Sequence, residues 1–234
     1  MQTQFELNIK NYWNYYIELE NEVLETRKYV EFDVSNYKCF SIEFLKLFQA
    51  ICSEIDTLGK HIANILDFTY NPDDKKNTIY KWWYILSNKL KLANCLKNGC
   101  NNNDKINVKT FSVRNYILDI YVNPWENFEV EQYTNKKGAI CYRLTKNSKN
   151  LKWWSEYNDV KHHRISLSQK NKESNYAYAN LGNVLSSLTA LYILEIGLLQ
   201  LTGSVNELES FVNKSAIFNK EFLCTSEEIE LICQ

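Results

Sequence analysis

The feature that most constrains the fold is a nearly uninterrupted apolar run at residues 181–201. A helix of this length approaches the thickness of a bilayer. Because Asn183 and Glu195 interrupt the run, we expect a buried core helix and no membrane span. The other helices are expected to pack around it. A carboxylate inside a core needs a partner, and we expect Lys161 or Arg164 to form a salt bridge with Glu195.

Apolar side chains recur at helical spacing in four further segments. Ser41 precedes one of them and is expected to be its N-cap, because a serine hydroxyl accepts a hydrogen bond from a free N–H of the first turn. The third segment is expected to begin at the acidic turn 71–74 and to extend to Leu96. The pattern predicts a mainly α chain, arranged as a helical bundle. The predicted helices cover residues 7–29, 41–66, 71–96 and 151–164.

The helical pattern stops between about residues 105 and 145, where β-branched and aromatic residues become frequent. This region is either strands or irregular chain. Two strand-like stretches lie within residues 127–144 on either side of Lys136-Lys137-Gly138, a turn sequence, and they favour a small β-hairpin. We therefore predict a single domain, 1–234, with an irregular or β insertion at about 105–145.

The balance of charges limits the classes of partner. The chain has 27 basic and 28 acidic residues, a formal net charge of −1, so nucleic acid is not attracted to the protein as a whole. Any such binding needs a local cluster, and one is present around Lys161 and Arg164. The seven cysteines are scattered and only three histidines occur, so we expect reduced thiols and no metal or other cofactor. Without a signal-like N-terminus, the expected location is cytoplasmic.

Residues 153–164 concentrate more chemically active side chains than any other segment. On a helix, Asn158 and His162 share a face because they are four residues apart. Asp159 and His163 have the same spacing, but we expect that pair on the solvent side. A second stripe adjoins the Asn158 face and carries Tyr157, Lys161 and Arg164.

A histidine beside lysine and arginine side chains is suited to acid–base chemistry near a phosphate. We expect His162 to move a proton at a ribose hydroxyl or a leaving oxygen, with Asn158 orienting the group. Lys161 and Arg164 are expected to hold phosphate, so the catalytic set is Asn158, Lys161, His162 and Arg164. The alternative is structural: tryptophans anchor the helix, and Asn158 and His162 bond to backbone. The expected substrate-binding residues are Trp154, Tyr157, Lys161 and Arg164.

The stretch Tyr157-Asn158-Asp159-Val160-Lys161-His162 resembles the signature of the HEPN superfamily, in which an arginine and a polar residue are followed by a histidine. Asn158 and His162 match the polar residue and the histidine, whereas Tyr157 stands at the arginine position. The resemblance implies a helical-bundle protein of a bacterial antiphage defence or toxin–antitoxin type, with metal-independent ribonuclease activity. It also implies a homodimer whose His162 helices face each other, with RNA and an antitoxin or defence-system protein as partners.

Two further functions stay open. In the first, the chain is a non-catalytic interaction or scaffold protein with a degenerate HEPN site. In the second, an aromatic pocket built from Trp82, Trp83, Trp153 and Trp154 senses a small molecule, although core packing is the more frequent use of such side chains.

The predicted second helix carries two acids that could orient the His162 imidazole, Glu54 and Asp56. Glu54 shares a helix face with His61, and Asp56 forms an i, i+4 pair with Lys60.

Overall fold

The computed structural model describes residues 4–75, 77–93, 105–168, 172–202 and 214–218. Within these ranges the protein is mainly α-helical with a small β region between the third and fourth helices, as predicted. The five α-helices are α1 (Gln4–Glu25), α2 (Ile42–Leu66), α3 (Ile79–Lys89), α4 (Lys152–His163) and α5 (Leu181–Thr202).

The β region consists of short antiparallel pairs, β1 with β2, β3 with β4 and β5 with β6. The hairpin predicted at residues 127–144 is confirmed as β5–β6. Its turn contains Gly138 at φ +76°, a backbone conformation that glycine adopts without strain. The Asn135 carboxamide oxygen accepts hydrogen bonds from the backbone N–H groups of Lys137 and Ala139, which fixes the turn. The strands are β1 (Lys91–Ala93), β2 (Lys105–Asn107), β3 (Val113–Asn115), β4 (Ile120–Val122), β5 (Val130–Thr134) and β6 (Ile140–Leu144).

Helix α2 packs against all the other α-helices, and its start is the predicted one. The Ser41 hydroxyl accepts a hydrogen bond of 3.1 Å from the Phe44 backbone N–H, which satisfies one of the free donors of the first turn. One face of α2 is buried along its length, from Phe44 to Ala63.

Helix α5 is the predicted core helix. Among the described residues it is the single helix long and apolar enough to cross a membrane, and 83% of its most apolar window is buried inside the protein. It packs against α1, α2 and α4, so its apolar surface is covered on several sides. The sequence pattern predicts that this helix begins at about Tyr176, but Asn175–Tyr178 form a separate 3₁₀-helix and α5 begins at Leu181.

Helix α3 is shorter at both ends than the sequence pattern predicts. Polar side chains hold the preceding segment in a turn: the Asn71 side chain accepts from the Asp73 N–H, and the Asn77 amide donates to the Asn71 carbonyl. The helix therefore begins at Ile79. At its other end Leu90 is extended and the chain enters β1, which pairs with β2; residues 94–96 of the predicted helix lie outside the described ranges.

Three of the four tryptophans considered for an aromatic pocket, Trp82, Trp83 and Trp153, are buried in the hydrophobic core, so the four do not enclose an open pocket; Trp154 is only partly buried. Trp83 and Trp125 stack with ring centroids 4.2 Å apart, and Trp153 packs edge-on against Trp125 at 5.5 Å. The Trp83 Nε1–H donates to the Phe128 carbonyl at 2.9 Å, whereas the Trp125 Nε1–H has no hydrogen-bond partner within the described residues. Trp82 is also fully buried, which leaves no open ring faces in this cluster.

Candidate functional site

Helix α4 is held to the core by one face. Trp153, Tyr157 and Val160 are buried, at the i, i+4, i+7 spacing of a single helix face. The Trp153 indole donates a hydrogen bond of 3.0 Å to the Pro124 carbonyl, and the Tyr157 ring packs edge-on against Phe48 at 5.9 Å. The opposite side of the helix is therefore free to face solvent.

The last turn of α4 presents a run of basic side chains. We call residues 161–164 (Lys161, His162, His163 and Arg164) the cationic turn; all four are exposed. Within the described parts of the chain, no salt bridge joins any of them to an acidic group. The helix dipole places partial negative charge at this end, which favours cations there even without a ligand.

A cleft of about 450 Å³ lies beside the cationic turn, between α2, the start of α3 and α4. We call it the α4 cleft. Trp154, Tyr157, Asn158 and Lys161 of α4 line it together with Asp56 of α2. Of the substrate-binding residues expected from the sequence, Trp154, Tyr157 and Lys161 thus meet in one cleft, whereas Arg164 does not line it.

The Asp56 carboxylate already has two partners. One oxygen accepts from the Trp82 Nε1–H at 3.2 Å, and the other forms the predicted ion pair with Lys60 at 2.5 Å. Asp56 lines the α4 cleft but His162 does not, and the partners of this carboxylate are Trp82 and Lys60, so the expected orientation of the His162 imidazole by Asp56 is not seen. In this arrangement its negative charge is partly compensated before any ligand binds.

Tyr157 is a largely buried wall of the cleft. Burial, followed by the nearby Cys52 and Asp56, raises the pKa of the phenol to about 12, so the hydroxyl stays protonated at neutral pH. The Lys161 ammonium group lies 5.4 Å from the centre of the Tyr157 ring, a cation–π distance. Tyr157 therefore helps to position Lys161.

Asn158 and His162 are on α4 as predicted, but only Asn158 lines the cleft. The Asn158 amide donates a 3.0 Å hydrogen bond to the Trp154 carbonyl one turn earlier, which leaves its oxygen as the atom available to a ligand. His162 is exposed and is not among the residues that line the cleft.

A second cleft, of about 660 Å³, lies on the other side of α4. Asp159 and His163, expected on the solvent side, line it together with Glu156. The Asn183 amide donates to Glu156 at 2.7 Å, and the Asn175 amide donates to the His163 carbonyl at 2.9 Å. Asp159 and His163 share a face, as their i, i+4 spacing predicted. The cleft arises because residues 166–168, Asn175 and Tyr178, later in the chain, close its other side, and no sequence pattern indicated that contact.

The other acids expected near the site lie elsewhere. Glu54 lines a groove between α1 and α2 with His61, on a different side of α2 from Asp56. Glu195 is fully buried, and within the described residues its carboxyl oxygens have no hydrogen-bond partner. The predicted salt bridge of Glu195 with Lys161 or Arg164 is wrong because both basic side chains point to solvent.

In the described ranges, no three His, Cys, Asp or Glu side chains are grouped so that they could hold a metal ion. Comparisons of the chain with protein-family models, with curated proteins and with solved structures find no match.

Proposed function

We propose that this protein binds single-stranded RNA at the cationic turn and cleaves it without a metal ion, as a HEPN-like ribonuclease. The observation that carries the proposal is the exposed turn itself, whose Lys161 and Arg164 have no acidic partner among the described residues. Phosphate contacts by such side chains dominate the affinity of proteins for nucleic acids. The chain as a whole has a net charge of −1, so the attraction is confined to this end of α4.

The α4 cleft is better suited to single-stranded RNA than to an RNA duplex. Trp154 is partly exposed and lines the cleft, so its ring can stack on an unpaired base. The Asn158 oxygen can accept a hydrogen bond from a base edge. A strand with its phosphates on Lys161 and Arg164 would thus place a base in the neighbouring cleft.

For cleavage, the exposed His162 imidazole would take the proton from a ribose 2′-hydroxyl while the 2′-oxygen attacks phosphorus. The bond to the 5′-oxygen breaks, and that oxygen takes up a proton, leaving a 2′,3′-cyclic phosphate. Lys161 and Arg164 would stabilise the charge that develops on the phosphate oxygens.

A homodimer is part of the proposal. The resemblance to HEPN proteins implies a helical bundle in which two copies place their His162 helices face to face. The second copy would supply the general acid that gives a proton to the leaving 5′-oxygen. It would also bring additional positive charges to the phosphate. An antitoxin-like or defence-system protein is the partner class that the same resemblance suggests.

The second candidate function is a non-catalytic interaction or scaffold protein. The observation that favours it is the burial of Tyr157, which occupies the arginine position of the motif and leaves only 5% of its surface exposed. A protonated, buried phenol cannot replace an arginine on a phosphate.

Cleavage of total cellular RNA at neutral pH in EDTA tests the proposal, using wild type, His162→Ala and His163→Ala purified identically. His163 is adjacent to His162 and equally exposed, but it lines the second cleft, and the proposal assigns the phosphate contacts to Lys161 and Arg164 alone, so His163→Ala is a matched control. We expect His162→Ala to lose roughly 100-fold in rate or more, with wild-type activity in the control. Equal cleavage by all three proteins would contradict the role of His162. Absence of cleavage by wild type would favour the scaffold function.

A further inference from the structure

The cationic turn is followed directly by large apolar side chains that are exposed to solvent. Ile165 and Leu167 have 92% and 66% of their surface exposed. Beside them, Lys161 and Arg164 form no salt bridge with an acidic group in the described part of the chain. Exposed apolar groups next to unpaired cations are typical of an interaction surface. The group that complements this surface has to be both acidic and apolar.

A segment of that composition occurs in the same chain, outside the described residues. Residues 225–234, which we call the acidic segment, contain three glutamates and no lysine or arginine, and the glutamates alternate with Ile229, Leu231 and Ile232. Residues 219–234 together hold four of the 28 acidic residues and one of the 27 basic residues. The rest of the chain therefore has a slight excess of positive charge, which attracts the acidic segment.

The chain enters residues 219–234 from a fixed point on the helices. The buried Glu20 carboxylate of α1 accepts hydrogen bonds from the Ser215 hydroxyl at 2.6 Å and from the Ala216 N–H at 2.8 Å. Phe218 is fully buried and stacks on Tyr192 of α5, with ring centroids 4.8 Å apart. The residues that follow Phe218 therefore start beside the middle of α5.

The cationic turn lies within reach of that point. The Arg164 carbonyl accepts a hydrogen bond of 3.1 Å from the Tyr176 N–H, shortly before α5 begins. Tyr192 is about 16 Å along the axis from the first residue of α5, at a rise of about 1.5 Å per residue. With about 10 Å added for the width of a helix, this separation is shorter than the roughly 30 Å that the chain between Phe218 and Glu227 can span.

We propose that the acidic segment docks on the cationic turn of its own chain and inhibits the binding of RNA there. Its glutamates accept hydrogen bonds from Lys161 and Arg164 in place of phosphates, and its apolar side chains cover Ile165 and Leu167. RNA then has to displace the segment before it can bind. This consequence rests on the proposed function, whereas the contact between the segment and the turn does not.

Two variants of the full chain test the contact. The acidic-segment variant combines Glu227→Gln, Glu228→Gln and Glu230→Gln. The control variant makes the same change at three glutamates that are exposed elsewhere on the described surface, so the change in net charge is equal: Glu31→Gln, Glu126→Gln and Glu129→Gln.

NMR without RNA measures the contact. In wild type we expect NOEs between the methyl groups of Ile165 and those of Ile229 or Leu231. The side-chain N–H signal of Arg164 is expected to shift in the acidic-segment variant and to stay at its wild-type position in the control. The proposal is overturned if the NOEs are absent and the two variants give the same Arg164 signal. It is also overturned if the NOEs disappear on tenfold dilution, because the segment would then dock on a second copy.

RNA binding measured by anisotropy, in a His162→Ala background that prevents cleavage, tests the inhibition. The acidic-segment variant is expected to bind single-stranded RNA at least about fivefold more tightly than the control variant, because its turn is no longer occupied. Equal affinities of the two variants would overturn the inhibition. If the NMR contact is seen but none of the proteins binds RNA, the contact stands and the proposed function fails.

Discussion

The Tyr157 side chain lies in the hydrophobic core, at the position that corresponds to arginine if the proposed resemblance to the HEPN motif holds. It packs against Phe48, and burial keeps its phenol protonated, with a pKa of about 12. A guanidinium at this position would have to be buried or would have to turn into the α4 cleft towards Asp56. The core environment therefore explains why an arginine does not fit here as α4 is now packed.

We predict that Tyr157→Arg lowers the free energy of unfolding by at least about 2 kcal/mol, because the substitution buries a charge against apolar side chains. Tyr157→Phe keeps the ring and is expected to change stability by no more than about 1 kcal/mol. Urea unfolding of the two variants and wild type measures the difference. If Tyr157→Arg were as stable as Tyr157→Phe, an arginine at position 157 would fit, and our account of why the core excludes it would be wrong.

A second prediction concerns Glu195, whose pKa is raised by burial and by the Glu54 charge. Below its ordinary value of 4.5 the group is protonated in both folded and unfolded protein, and its contribution to stability is complete. Above that value the unfolded chain loses the proton while the folded protein keeps it. The free energy of unfolding then falls with rising pH, by up to about 1.4 kcal/mol per pH unit, until the folded pKa is passed.

Glu195→Gln cannot titrate, so we predict that it becomes more stable relative to wild type as the pH rises. Urea unfolding of both proteins at about pH 5 and about pH 7 gives the two stability differences. Burial also raises the pKa of Glu54, and its effect on the pH dependence of stability has the same direction in both proteins and largely cancels in the comparison. A stability difference that does not change between these pH values would show that Glu195 is not protonated in the fold.

Among the elements, those defined by a single local pattern were predictable. The spacing of apolar residues and the cap at Ser41 predicted α2, and the apolar run predicted α5 as a buried helix. The glycine at position 138 marked the hairpin turn. The end of α3 was not predictable, since Leu90 and Leu92 continue the helical spacing. Pairing of β1 with β2, a contact between separate segments, ends the helix earlier.

The candidate site was predictable to the level of the helix. The density of polar and aromatic residues identified α4, and helical spacing separated its faces. Which face meets a cleft depends on what packs against it, and that information is distant in the sequence. Asn183 of α5 donates a hydrogen bond to Glu156 beside the second cleft, which His163 lines and His162 does not. No local pattern distinguishes these two neighbours.

In the molecule as a whole, a net charge of −1 is combined with one local cluster of basic side chains. Within the described ranges, Lys161 and Arg164 of the cationic turn form no salt bridge, whereas exposed lysines such as Lys28 and Lys46 are paired with acids. The attraction for a polyanion is therefore expected at this end of α4 and not over the whole surface.

Binding of a fluorescent single-stranded RNA, followed by anisotropy at several salt concentrations, tests the function of the cationic turn most directly. His162→Ala serves as the background, so that cleavage does not interfere. Adding Lys161→Ala and Arg164→Ala is expected to weaken binding at least about tenfold and to reduce the slope of log K against log salt by about 1.4, or about 0.7 for each lost phosphate contact. The control adds Lys28→Ala and Lys46→Ala, two exposed lysines paired with Glu25 and Glu43, and should bind as the background does. Equal affinity and slope in both variants would contradict RNA binding at this turn.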